Sequence, residues 1–150
     1  MTAPSRPPPA ALDAEPSGAP LRVLAAEDNR MNQAVLQAAL EALGARIVIA
    51  PDGRCAVQAW REGAYDLVLM DIRMPVMDGV EAVQAIRAAE RAEGRPRTPV
   101  LALSGDVRPG QVLDYMAAGM DGHVAKPIDL GLLQQALDRI RCDREARLAA

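Results

Sequence analysis

From residue 21 onward, short apolar runs alternate with longer stretches in which apolar residues recur every three or four positions. The runs cover residues 21–26, 47–50, 67–70, 100–103 and 123–125. They are continuous rather than alternating in character, the pattern of strands buried on both faces. A helical stripe follows each run. Leu36, Leu40 and Leu43 share a face of the first helix, Val57 and Trp60 mark the second, and Val83 and Ile86 the third. Val112 and Met116 mark the fourth, and Leu130, Leu133, Leu137 and Ile140 the fifth. Asn29 and Asp52 stand where the first two helices should start, and Gly44 and Gly119 where helices should stop. Residues 91–99, RAEGRPRTP, read as a polar loop. Five successive βα units predict an α/β fold with a doubly wound parallel sheet and helices on both faces. In such a sheet, ligands bind beyond the carboxyl ends of the strands, where the strand order reverses.

Composition narrows this picture. The chain has 150 residues, the size of one domain, and half of it is apolar. With no Phe, one Trp and two Tyr, the core must come from Leu, Val, Ile and Ala. Residues 1–20 hold six of the 12 prolines and read as a disordered leader, with its RPPP as a possible polyproline ligand. Residues 21–140 form the expected domain, and 141–150 a helix extension or tail. A net charge of −3 argues against nucleic-acid binding. Cys55 and Cys142 are far apart, without metal-ligand spacing, and read as reduced thiols. No apolar run reaches membrane-spanning length and no signal peptide is visible, so a cytoplasmic location is expected.

The strand ends carry the candidate chemistry. The first ends in Glu27 and Asp28, the third in Asp71 and the fourth in Ser104, and Lys126 follows the fifth. Any one of these would pass as a solvated loop residue; four strand ends delivering polar groups to one rim are harder to dismiss. Three close carboxylates stay ionised together only if a cation joins them. All-oxygen ligands with open positions suit Mg²⁺. A metal beside a further carboxylate, a hydroxyl and an ammonium makes a phosphoryl-transfer constellation. In it Asp71 is a nucleophile, Ser104 a donor to a phosphoryl oxygen, and Lys126 a neutralising charge. Lys126 is the only lysine among 17 basic side chains. Codon bias toward arginine accounts for the excess but not for a lysine kept here, where a slim point charge reaches a crowded oxygen.

The segments AAEDNRMN, LVLMDIRMPVMDG, LALSGD and HVAKPI, in that order, resemble the receiver domain of two-component response regulators. The resemblance covers about residues 21–140. It implies a flavodoxin-like five-stranded sheet in the order 2-1-3-4-5, and it implies roles for particular residues. Asp71 matches the phosphoacceptor, and Glu27 and Asp28 the acid pair that binds Mg²⁺. The Arg73 carbonyl matches a further metal ligand, Ser104 the hydroxyl that swings to the phosphoryl group, and Lys126 its counter-charge. Pro127 matches a proline commonly preceded by a cis peptide bond. Met74 and Met77 are expected to pack, Asp78 to cap the third helix, and Asp106 to lie at the mouth of the site or cap the fourth. Position 123 usually carries Tyr or Phe, whose ring moves inward when the hydroxyl engages the phosphoryl group. Here it is His123, the only histidine, which departs from that switch pattern.

The implied function is that of a stand-alone receiver, not an enzyme, taking phosphate from a histidine kinase or histidine phosphotransfer protein. About ten residues remain after residue 140, so output is expected through contact with a downstream signalling protein or through onward transfer. EDNRMNQ also resembles receivers attached to hybrid kinases. A phosphohydrolase of the haloacid dehalogenase type would carry a second Asp where Arg73 stands. A nucleotide-binding module would need a Gly-rich loop after the first strand. A docking module with a vestigial site is the remaining alternative.

Overall fold

A computed structural model of the chain describes residues 19–149. The leader expected over residues 1–20 therefore lies almost wholly outside the described residues. The strands are β1 (Arg22–Ala26), β2 (Arg46–Ala50), β3 (Leu67–Asp71), β4 (Val100–Ser104) and β5 (Gly122–Ala125). The helices are α1 (Arg30–Ala42), α2 (Gly53–Glu62), α3 (Gly79–Glu93), α4 (Pro109–Ala118) and α5 (Leu130–Ala149). All strand pairs are parallel, in the order β2-β1-β3-β4-β5. The doubly wound sheet is as the sequence predicts.

The pleat sorts each strand's side chains between two cores. Val23, Ala25, Leu67, Leu69, Leu103 and Val124 join Leu36 and Leu40 of α1 and Leu133, Leu137 and Ile140 of α5 on one face. Leu24, Ala26, Val68, Met70, Val100 and Ala102 meet Trp60 of α2, Val83 and Ile86 of α3 and Tyr115 of α4 on the other. Full burial of one such Leu or Val contributes roughly 1.5–3 kcal/mol. The central strands β1 and β3 are buried almost throughout, whereas β2, at an edge, alternates.

Caps follow the sequence. Asn29 and Asp52 accept from the backbone N–H of Asn32 and Cys55. Asp78 and Glu81 form a reciprocal capping box at the start of α3. Gly44 and Gly119 take φ of +80° and +118° just past helix ends. Cys55 and Cys142 are both free and exposed.

Some expectations need correction. Helix α3 runs on to Glu93, so the loop starts at Gly94, whose φ of +66° ends the helix, and not at residue 91. Met116 is 44% exposed and Leu130 50%. The buried residue of α4 is instead Tyr115, three positions after Val112 on the same helical face. Helix α5 continues without a break through residue 140 and buries Arg144. No helix among the described residues is long and apolar enough to cross a membrane.

Candidate functional site

The strand order reverses between β1 and β3, and the loops leaving these strands diverge to open a cleft. Its volume is about 410 Å³. Glu27, Asp28, Asp71, Arg73, Ser104 and Lys126 all line it, so six residues from four strand ends are brought together. His123 does not line it. This residue is exposed on β5, paired in register with Ala102.

Lys126 bridges two nearly buried carboxyls. Its Nζ lies 2.7 Å from Glu27 Oε1 and 3.1 Å from Asp71 Oδ1. The peptide bond between Lys126 and Pro127 is cis. Glu27 is held from its other side. Its Oε2 accepts from the Asn29 N–H at 3.2 Å, its carbonyl accepts from the Gln33 amide at 2.7 Å, and its own N–H donates to the Ala50 carbonyl.

Burial opposes ionisation of each member of this trio, and the neighbours decide the outcome. At Glu27, Lys126 and the Asn29 amide outweigh burial and hold the carboxyl below its ordinary value. At Asp71, burial prevails with help from the Glu27 charge, against Lys126, and the pKa is pushed up to about 6. At Lys126, the pull of Glu27 and Asp71 outweighs burial and raises the pKa.

One ammonium thus bridges two carboxyls, and a third, that of Asp28, lies close by. Oxygens of Glu27, Asp28 and Asp71 lie within 4.8 Å of one another. This all-oxygen set could hold a hard divalent cation, which would relieve the repulsion that favours protonated Asp71.

The loop from Asp71 to α3 is pinned by close backbone contacts. Gly79 donates to the Ile72 carbonyl, and Gly53 to the Met77 carbonyl. A Cβ at Gly79 would come 2.2 Å from the Asp71 carbonyl oxygen, and one at Gly53 2.3 Å from that of Met77, so both positions need glycine. Met74 and Met77 pack against the core beneath this loop.

The Ser104 hydroxyl is engaged on the α4 side. It accepts from the Asp106 N–H at 2.9 Å, and lies 3.0 Å from the Asp106 carbonyl and 2.8 Å from the Tyr115 hydroxyl. Tyr115 is a site neighbour that sequence reasoning missed. The helical spacing from Val112 was a usable signal, but the adjacent Met116 fitted the same short stripe. Asp106 lies at the mouth of the cleft as expected, but does not cap α4. The N-cap is Arg108, without a side-chain cap, and the Asp106 carboxylate instead pairs with the Arg108 guanidinium at 2.7 Å.

Comparison with known proteins agrees with this geometry. The family model described as the response regulator receiver domain matches residues 23–138. The two-component response regulator ORR41 of Oryza sativa is 42% identical over 125 residues, covering 81% of this chain and 94% of that protein. Sensor and hybrid histidine kinases match at 38–40% identity, but the chain spans only 7–13% of their length. The receiver domain of the sensor kinase PA1611 of Pseudomonas aeruginosa, solved with magnesium in its active-site cleft, superposes with a TM-score of 0.73 at 38% identity. That match covers 82% of this chain and 98% of that one. The Saccharomyces cerevisiae Ssk1 receiver, solved with the phosphotransfer protein Ypd1, gives 0.78 at 28% identity, covering 83% and 91%. The protein therefore belongs to the response regulator receiver domain family, the phosphoacceptor signalling modules of two-component and phosphorelay systems.

Proposed function

We propose that Asp71 accepts a phosphoryl group from a phosphohistidine on a histidine kinase or phosphotransfer protein, with Mg²⁺ bound in the cleft. The observation that carries this is the placement of Asp71: nearly buried, yet facing an open cleft, 3.1 Å from the Lys126 ammonium. A carboxylate oxygen of Asp71 forms the P–O bond as the P–N bond breaks, and the electron pair leaves with the imidazole nitrogen. Asp28, Asp71 and the Arg73 carbonyl would hold the ion, with Glu27 beside them. When bound, Mg²⁺ neutralises charge on the phosphoryl oxygens. Lys126 neutralises another oxygen, and the Ser104 hydroxyl donates to a third. The likeness to a receiver solved with magnesium supports the ion, and the likeness to one solved with a phosphotransfer protein supports the donor. The chain works as a stand-alone cytoplasmic receiver, and ORR41, matched over nearly its whole length, supports that reading. Its output is contact with a downstream protein or onward phosphotransfer, with no turnover of a separate substrate.

The test is intact-protein mass after incubation with Mg²⁺ and acetyl phosphate, or with a phosphohistidine donor. Wild type should gain one phosphoryl mass, and Asp71→Ala none. Lys126→Ala should gain far less than wild type. Failure of wild type with both donors would overturn the reading in favour of a phosphorylation-independent docking module.

A further inference from the structure

Tyr115 is 4% exposed, and its ring packs in the core between α4 and the sheet. Its hydroxyl closes a triangle with Ser104 and Asp106: 2.8 Å to Ser104 Oγ and 3.0 Å to the Asp106 carbonyl oxygen. Counting protons shows what the triangle does. Ser104 Oγ already accepts from the Asp106 N–H. Its one hydroxyl proton points to the Asp106 carbonyl or to Tyr115, both on the α4 side. Ser104 therefore has no proton to give a group on Asp71 until it leaves the triangle. Once it leaves, Tyr115 keeps only the Asp106 carbonyl.

We infer that Tyr115 is the positioning residue for Ser104: it holds the hydroxyl in its off-site position, and it registers the departure of that hydroxyl on helix α4. The inference rests on Asp71 being the phosphoacceptor. His123 takes no part, because it is exposed and outside both the cleft and the triangle. The aromatic hydroxyl that senses the site comes from α4, not from β5. Helix α4 also carries the exposed Leu113 and Met116, so a change at Tyr115 is delivered to an apolar outer surface.

The chain has only two tyrosines, Tyr65 and Tyr115, so ring-labelled tyrosine gives two signals, assigned by Tyr115→Phe. Intact mass is measured on the same samples. On phosphorylation, the Tyr115 signal should move in wild type and in Ser104→Thr, which keeps a hydroxyl. It should stay still in Ser104→Ala compared at equal phosphoryl occupancy by mass, reached with longer exposure to donor because Ser104 itself contributes to transfer. Tyr115→Phe retains the ring and frees Ser104 from one hydrogen bond. It should bind beryllofluoride, a phosphoryl mimic, with Mg²⁺ about three to ten times more tightly, the weight of one neutral hydrogen bond. A phosphorylated wild type whose Tyr115 signal does not move, or moves equally in Ser104→Ala, overturns the inference and leaves the phosphoacceptor reading intact. Unchanged beryllofluoride affinity in Tyr115→Phe also overturns it. Absence of any phosphoryl mass in wild type removes both together.

Discussion

At the carboxyl edge of the sheet, Glu27 and Asp71 share the single ammonium of Lys126, and the exposed Asp28 carboxyl lies beside them. At the amino edge, before β4 and β5, the buried Arg87 guanidinium meets Glu90 and Asp121, each at 2.9 Å, and the carbonyls of Gly119 and Thr98. The second carboxyl oxygen of Glu90 accepts from the Thr98 N–H, and Asp121 takes Arg97 and the Val100 N–H as well. Two cations thus face two anions, with hydrogen bonds filling the remaining positions. The amino-edge cluster is saturated, and it ties α3, the loop before β4 and the turn before β5 together. The carboxyl-edge cluster has fewer cations than carboxyls, and burial, helped by the Glu27 charge, pushes the pKa of Asp71 up to about 6. Saturation gives rigidity; deficit gives a place for a cation and a phosphoryl group. The sheet separates these two duties by its length.

The largest expected effect lies at the saturated edge. Arg87→Met removes the charge that Glu90 was buried to meet, and should destabilise the domain by about 3–5 kcal/mol, as loss of one partner of a buried ion pair does. Urea unfolding reads this as a lowered midpoint at unchanged slope. The double variant with Glu90→Gln should recover part of the loss. The folded protein should still take a phosphoryl group on Asp71. A loss below about 1 kcal/mol, the level of a surface pair, would erase the contrast between the edges.

At the deficient edge the sign reverses. Asp71 has a folded pKa near 6 against an ordinary 3.8, so between those values the folded state binds more protons than the unfolded one. Metal-free stability should therefore fall as pH rises from about 4 to 6 and stay low above that. The lowered pKa of Glu27 works in the opposite direction, at pH below its ordinary 4.5. Discounted for the open cleft, the Asp71 contribution is on the order of 1–2 kcal/mol. Asp71→Asn should raise the metal-free melting temperature at pH 7.5 and flatten the profile from pH 4.5 to 6.5. Mg²⁺ should stabilise wild type and leave Asp71→Asn unmoved. A variant less stable than wild type without metal would mean that the cluster is balanced after all.

The two edges were unequally legible in the sequence. Each carboxyl-edge residue is the first polar position after an apolar run, so strand periodicity alone brings Glu27, Asp71, Ser104 and Lys126 to one rim. Arg87 has no such mark. It is one arginine among many in mid-helix, and Thr98, Gly119 and Asp121 lie 11, 32 and 34 residues further along the chain. Its burial is decided by tertiary packing, which no local pattern reports. Tyr115 was hidden for a related reason. Helix α4 has ten residues, too few for its stripe to separate Tyr115 from Met116. The strand order followed from the family resemblance, since βα periodicity predicts a parallel sheet without fixing the order of its strands.

The smallest effect tests whether the carboxyl edge also stores strain. Among the described residues, Val76 is the one non-glycine with positive φ, at +70°. It is 74% exposed, and the Met77 N–H donates to the Pro75 carbonyl across it at 2.7 Å, closing a three-residue turn. A β-branched residue is disfavoured there, because its Cβ substituents crowd the backbone in the left-handed half of φ space. Asn tolerates that region, and the side chain at 76 is too exposed for Val to gain much by packing. Val76→Asn should stabilise the domain by roughly 0.5–1 kcal/mol, read as a higher urea midpoint, and leave Arg87 variants equally destabilised in its background. The contacts of Gly53 and Gly79 hold both ends of this loop, so the turn is imposed by its anchors and not chosen by Val76. If Val76→Asn gave no gain, the loop would adopt that turn without strain, and the deficit of positive charge would be the only tension at the carboxyl edge.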